Sequence, residues 1–136
     1  MPSCVLRVSG SIAKVRQFLT NASLAPDRVF WKGDLANPVS KRIVQHSGFN
    51  IVLSTAEGLP NQAQQAVRFA RRHQDSLSLI PQLGFRAVSI DFGLYDLATE
   101  DRPWPSYSVP VQVARLAAEL GATIELSFYG VPEGAP

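Results

Sequence analysis

The chain has 136 residues, of which 46% are hydrophobic and 18% charged, a balance that excludes a disordered polypeptide and suits one globular domain burying roughly 70% of its unfolded surface. The single cysteine, Cys4, excludes an internal disulfide and any metal site built on several thiolates. The formal charge of +2 is unevenly laid out: residues 1–50 hold seven Lys or Arg against Asp27 and Asp34, whereas residues 87–136 hold Arg102 and Arg115 against seven acids.

Cys4 to Ser9 reads as a first strand with Val5, Leu6 and Val8 apolar, closed by Gly10. Ser11 can cap a helix in which Ile12, Val15 and Leu19 form one stripe, widened by Phe18. Pro26 predicts that this helix stops near Asn21 to Ser23. Arg28 to Lys32 has the aromatic and β-branched content of a short strand. Gly33 to Ser47 shows no clean period and is expected to be a long loop.

From Gly48 the pattern sharpens. Phe49, Ile51 and Leu53 alternate with Asn50, Val52 and Ser54, the period of two expected of a strand with one face on a core. Gly58 breaks the chain and Pro60 opens the longest helix, with Ala63, Ala66, Val67 and Ala70 on its inner side. Leu77, Ile80 and Leu83 predict a second helical piece, bent or restarted near Pro81 and ended by Gly84. Arg86 to Leu94 alternates Val88, Ile90, Phe92 and Leu94 against Ala87, Ser89, Asp91 and Gly93. Tyr95 to Ser108 is a second long loop containing Pro103-Trp104-Pro105. Ser108 is expected to cap a last helix with Pro110 in its first turn, Val113, Leu116, Ala117 and Leu120 as its stripe and Gly121 as its C-terminal cap. Thr123 to Tyr129 alternates as a closing strand, and residues 130–136 are expected to fray.

The order β α β β α β α β predicts a single α+β domain over residues 1–136. The expected architecture is an antiparallel sheet with helices on one face, a ferredoxin-like βαββαβ core and a C-terminal αβ extension. The N-terminus lacks a signal-peptide pattern and no segment reaches the ~20 apolar residues of a membrane span, so the expected location is the cytoplasm and no membrane partner is expected.

No motif for catalysis, metal or cofactor is present, and none of the three is expected. His46 and His73 have no metal-binding spacing, and a histidine at a helix C-terminus such as His73 is explained by the macrodipole. Cys4 at a strand start reads as a small buried hydrophobe. Asp91 reads as a group on a solvated sheet face; were that face covered, Arg7 or Arg86 could pair with it. Arg68, Arg71 and Arg72 with Lys41 and Arg42 make a basic set, but no strand carries the aromatic motif of RNA-binding modules, so nucleic acid is not the expected partner. Trp31, within Trp31-Lys32-Gly33-Asp34, and Trp104 either anchor protein contacts or fold back over the core edge.

Leu24-Ala25-Pro26-Asp27, then Trp31-Lys32-Gly33-Asp34, then Gly48-Phe49 with its alternating strand and long helix, resembles a family of small bacterial proteins known only as a domain of unknown function. Some members of that family look like immunity proteins that neutralise a toxin. The resemblance covers roughly residues 4–80 and implies an α+β fold and a non-enzymatic role.

The leading expectation is therefore a bacterial protein-binding module of the immunity or assembly type, with Trp31, Lys32, Asp34, His46, Asp91 and Trp104 as candidate binding residues. Self-association is a further expectation, because the closing strand can leave a sheet edge open. The alternative is a small-molecule binder or small enzyme using a cleft between the Gly33 to Ser47 and Tyr95 to Ser108 loops, with Asp34, His46, Asp91 and Asp96 as polar groups.

Overall fold

The computed structural model describes residues 3–37, 39, 41–95 and 106–129, with backbone alone at Ala36 and Asn37. Strand β1 (Cys4–Gly10) buries Cys4, Leu6 and Val8 and turns Arg7 outward. Helix α1 (Ile12–Asn21) follows at once, because the Ser11 hydroxyl accepts the Lys14 backbone N–H at 3.2 Å and so closes the first turn. Val15 and Phe18 are its buried pair. Ile12, expected on the same stripe, is 39% exposed, since it sits in the first turn beyond the end of the strand.

Strand β2 (Arg28–Phe30) is shorter than predicted. The expected loop after it is folded: β3 (Leu35–Asn37) and β4 (Arg42–Ile43) pair as an antiparallel hairpin, with Lys41 at a positive φ of 54° in the connection. Such short strands leave too few residues for a period of two to show. Strand β5 (Ser47–Ser54) then buries Phe49, Ile51 and Leu53 as the alternation predicts.

Helix α2 (Leu59–Arg72) buries Ala63, Ala66 and Ala70, small side chains that allow close approach to the sheet. Two short pieces follow, α3 (Gln74–Leu77) and α4 (Leu79–Leu83). The helical run breaks at His73 and Ser78, and the expected restart near Pro81 is the start of α4 at Leu79. Pro81 lies in the first turn of α4, where its missing N–H has no intrahelical partner to lose.

Strand β6 (Ala87–Leu94) is the second long central strand. Helix α5 (Val111–Leu120) begins later than predicted: Pro110 is the extended N-cap, with no side-chain bond from Ser108. Proline drives the preceding Val109 out of helical geometry, so a helix capped by Ser108 is sterically blocked. Gly121 closes α5 in the left-handed region at φ 66°, where a side chain is disfavoured. Strand β7 (Thr123–Phe128) ends the described fold.

The main sheet has the order β2-β5-β1-β6-β7. Its first three pairings are antiparallel, as predicted, but β7 lies parallel to β6, so the sheet is mixed and not antiparallel throughout. Adjacent strands joined through a helix run the same way, whereas a tight hairpin would have reversed the chain. Buried side chains of α1, α2 and α5 join those of β1, β5 and β6 in one cluster. At its centre Phe18 stacks on Phe49 with ring centroids 4.4 Å apart, and Phe85 meets the Phe49 ring edge-on at 5.7 Å. Burying each such ring contributes about 1.5–3 kcal/mol relative to leaving it in water.

Beside Phe49, Gly48 is held on both sides. A Cβ there would lie 2.1 Å from the Val8 carbonyl oxygen and 2.8 Å from the Phe30 ring. Phe30 is its cross-strand partner, so the ring covers the glycine where a side chain would have stood.

Candidate functional site

The residues predicted to bind separate into three places. The first is one end of the main sheet. There β1 finishes at Gly10 opposite Ser47, Ser9 stands opposite Ala87, and Phe30 opposite Gly48. Lys32 and His46 therefore line one cavity, together with Gly10 to Lys14, Ser47, Gly84 and Arg86. The Lys32 backbone N–H donates to the buried Ser47 hydroxyl at 2.9 Å, which ties the end of β2 to the start of β5. Lys14 and Arg86 were not singled out for this place in the sequence, because they lie far from Lys32 and His46 along the chain and only strand pairing brings them level.

Trp31 is half-buried and packs on the core, and the Arg16 guanidinium lies 5.8 Å from the centre of its ring, a cation–π contact. Of the two roles open to Trp31, the structure places it over the edge of the core. Trp104 lies outside the described residues.

The second place is the β3-β4 hairpin. It is rooted by backbone bonds in both directions: Gly33 N–H donates to the Val44 carbonyl at 3.0 Å, and Val44 N–H to the Asp34 carbonyl at 2.8 Å. Asp34 N–H closes a turn onto the Trp31 carbonyl at 3.1 Å and leaves the Asp34 side chain exposed. Its strands pair with each other and not with the main sheet. It carries Leu35, Val39 and Ile43, exposed by 60%, 91% and 54%. Those residues were missed in the sequence because apolar residues scattered among Gly, Asn, Pro and Ser show no periodic signal.

The third place is Asp91, and here the plain surface reading is corrected. Asp91 is only 7% exposed. Strand β7 flanks β6 and Ser127 reaches across, donating its hydroxyl to Asp91 Oδ1 at 2.6 Å, while Arg7 Nη2 lies 3.5 Å from Oδ2. Arg7 is thus the partner, as foreseen for a covered face; the Arg7 side chain is 44% exposed, which keeps the direct worth of the ion pair small. Asp91 stands opposite Val5, whereas His46 adjoins Ser47 opposite Gly10. Five residues of strand separate those levels, ~17 Å. Asp91 and His46 are therefore not brought together. Asp96 and the rest of 96–105, the other wall of the expected cleft, lie outside the described residues.

Cys4, the first residue of β1, is fully buried. Burial pushes its thiol up to about 12, and the nearby Asp91 charge adds to the effect. A thiol so protonated at neutral pH is no nucleophile. His73 caps α2 and packs on Phe69 at 4.5 Å between ring centres. Among the described residues no group of three His, Cys, Asp or Glu could hold a metal ion, and no helix is long and apolar enough to cross a membrane.

No protein-family model, no curated protein and no solved structure matches the chain.

Proposed function

We propose that this chain is a non-enzymatic protein-binding module of the immunity or assembly type and that the β3-β4 hairpin is its contact element. The observation that carries the proposal is the placing of Leu35, Val39 and Ile43 in solvent on a hairpin hydrogen-bonded apart from the main sheet. Exposed apolar side chains lose hydration when a partner covers them, and such patches mark contact surfaces. Lys41 and Arg42 on the same hairpin are exposed, so the partner surface that fits is apolar at its centre and acidic at its rim.

The body that carries the hairpin is, in this reading, a ferredoxin-like core with its helices on one face. The order β2-β5-β1-β6 with antiparallel pairings supports it, as does the union of α1 and α2 side chains with alternate residues of β1, β5 and β6. α5 and β7 are then the extension. The protein would work in the bacterial cytoplasm, a reducing compartment that suits a lone buried thiol. Self-association through β7 is a second proposal, carried by its place at the sheet edge with Leu126 and Phe128 exposed.

The test is affinity capture from source cells at physiological salt, with the wild-type chain and a Leu35→Ser/Ile43→Ser variant run side by side. A partner retained by the wild type and lost by the variant supports the proposal. Recovery of no partner, or of the same partner by both chains, counts against it.

A further inference from the structure

We infer that the end of the sheet where β1 hands over to α1 is a binding site for a phosphorylated small molecule, its phosphoryl group held among Lys14, Lys32, His46 and Arg86. Four strands adjacent in the sheet, β2, β5, β1 and β6, each deliver one of these residues. Lys32 follows β2, His46 precedes β5, Lys14 lies in the first turn of α1 directly after β1, and Arg86 precedes β6. The pairings of Gly10 with Ser47 and of Ser9 with Ala87 hold these strand ends level. All four residues line one open cavity of about 610 Å³, inside the range of roughly 300–1,000 Å³ in which small-molecule sites fall.

The charge pattern points to an anion. No carboxylate is among the described residues that line this cavity. Lys14 Nζ donates to the Gly84 carbonyl at 2.6 Å, which fixes the ammonium at the cavity wall. Among the described residues, the side chains of Lys32, His46 and Arg86 make no hydrogen bond or ion pair. Like charges gathered without a counter-charge repel one another, and an anion placed between them turns that repulsion into attraction.

The donor types select among anions. Arg offers a planar fork that matches two oxygens of a phosphoryl group, and Lys offers a compact charge with three donors. The Lys14 N–H is taken by the Ser11 hydroxyl, but the N–H groups of Ile12 and Ala13 have no acceptor within α1 and add to the same field. Two lysines and an arginine exceed what a single carboxylate requires, whereas a doubly charged phosphoryl group uses them. The size of the cavity leaves room for the molecule that carries it.

The experiment is a titration of the whole 136-residue, ¹⁵N-labelled chain with inorganic phosphate, and separately with glycerol phosphate, at an ionic strength held constant with sodium chloride. The expected result is saturable shifts at the amides of Ser11, Ile12, Ala13 and His46 with both probes. Arg86→Ala and Lys32→Ala should each weaken binding about tenfold by removing a charge-assisted contact, while Arg68→Ala on α2 should leave it unchanged. Both site residues are exposed, so the variants keep the wild-type spectrum elsewhere. Shifts that grow linearly without saturating, shifts centred on other residues, or equal affinity in the Arg86→Ala chain would overturn the assignment and leave an adventitious ion only.

Discussion

Ser127 and Asp91 are joined across the parallel β6-β7 pairing by a hydrogen bond of 2.6 Å, from the last described strand to a carboxylate that is almost wholly buried. This bond couples β7 to the central strands, because Asp91 is also the ion-pair partner of Arg7 on β1. Replacing Ser127 with Ala should therefore destabilise the fold by about 1–3 kcal/mol, the cost of leaving a buried acceptor short of a donor. Urea denaturation of the two chains measures it. A loss below about 0.5 kcal/mol, the range of an ordinary surface change, would mean that water replaces the hydroxyl without cost.

Cys4 provides a prediction in pH. Its thiol is raised in the folded chain from 9.0 to about 12, first by burial and then by Asp91. The folded chain thus keeps a proton that the unfolded chain releases, and the stabilisation it represents is complete below pH 9 and lost as pH rises toward 12. Denaturation midpoints of the wild type should fall more steeply across that window than those of Cys4→Ala, whatever their difference at neutral pH. At neutral pH the native thiol should also resist a thiol reagent that labels it at once in denaturant.

Among the described glycines, Gly48 is the one least able to accept a side chain. With the added Cβ 2.1 Å from the Val8 carbonyl oxygen, Gly48→Ala must displace the β1-β5 pairing, and a loss above ~4 kcal/mol or failure to fold is expected. Phe30→Leu, which keeps an apolar cover over the glycine, should cost far less. Circular dichroism melts separate the two outcomes; an alanine variant as stable as the wild type would show that the ring and strand move aside freely.

The hairpin should behave in the opposite way. Leu35→Ser/Ile43→Ser changes two side chains that are more than half exposed, so its stability should lie within about 0.5 kcal/mol of the wild type at each site. A large drop in melting temperature would show that these residues support the fold and are not held out for a partner.

The legible part of this chain was its long, periodic elements. Phe49, Ile51, Leu53, Ile90, Phe92 and Leu94 occupy the buried positions that alternation assigned to them, and Gly121 ends α5 where it was expected to. The hairpin was not legible, because two strands of three and two residues are shorter than the period that reveals a strand. The start of α5 was misplaced because Ser108 and Pro110 both signal helix entry, and the block that proline puts on Val109 prevails.

For the candidate site the division is sharper. Lys32, Asp34 and His46 were visible as polar residues near strand ends, yet nothing along the chain joins Lys32 to Arg86. Helix, strand and cap preferences arise from sterics and hydrophobic spacing among residues a few positions apart, and the sequence by itself determined those, along with the α+β class. Only the tertiary structure decided that β7 lies parallel to β6, that Asp91 is buried between Arg7 and Ser127, and that Lys14, Lys32, His46 and Arg86 share one sheet end. Each depends on strands pairing across long separations, and Arg7 and Asp91 are 84 residues apart in the chain. Local preference cannot choose between neighbours that distant; the choice belongs to the core, which gains apolar burial only when the strands are laid in this order.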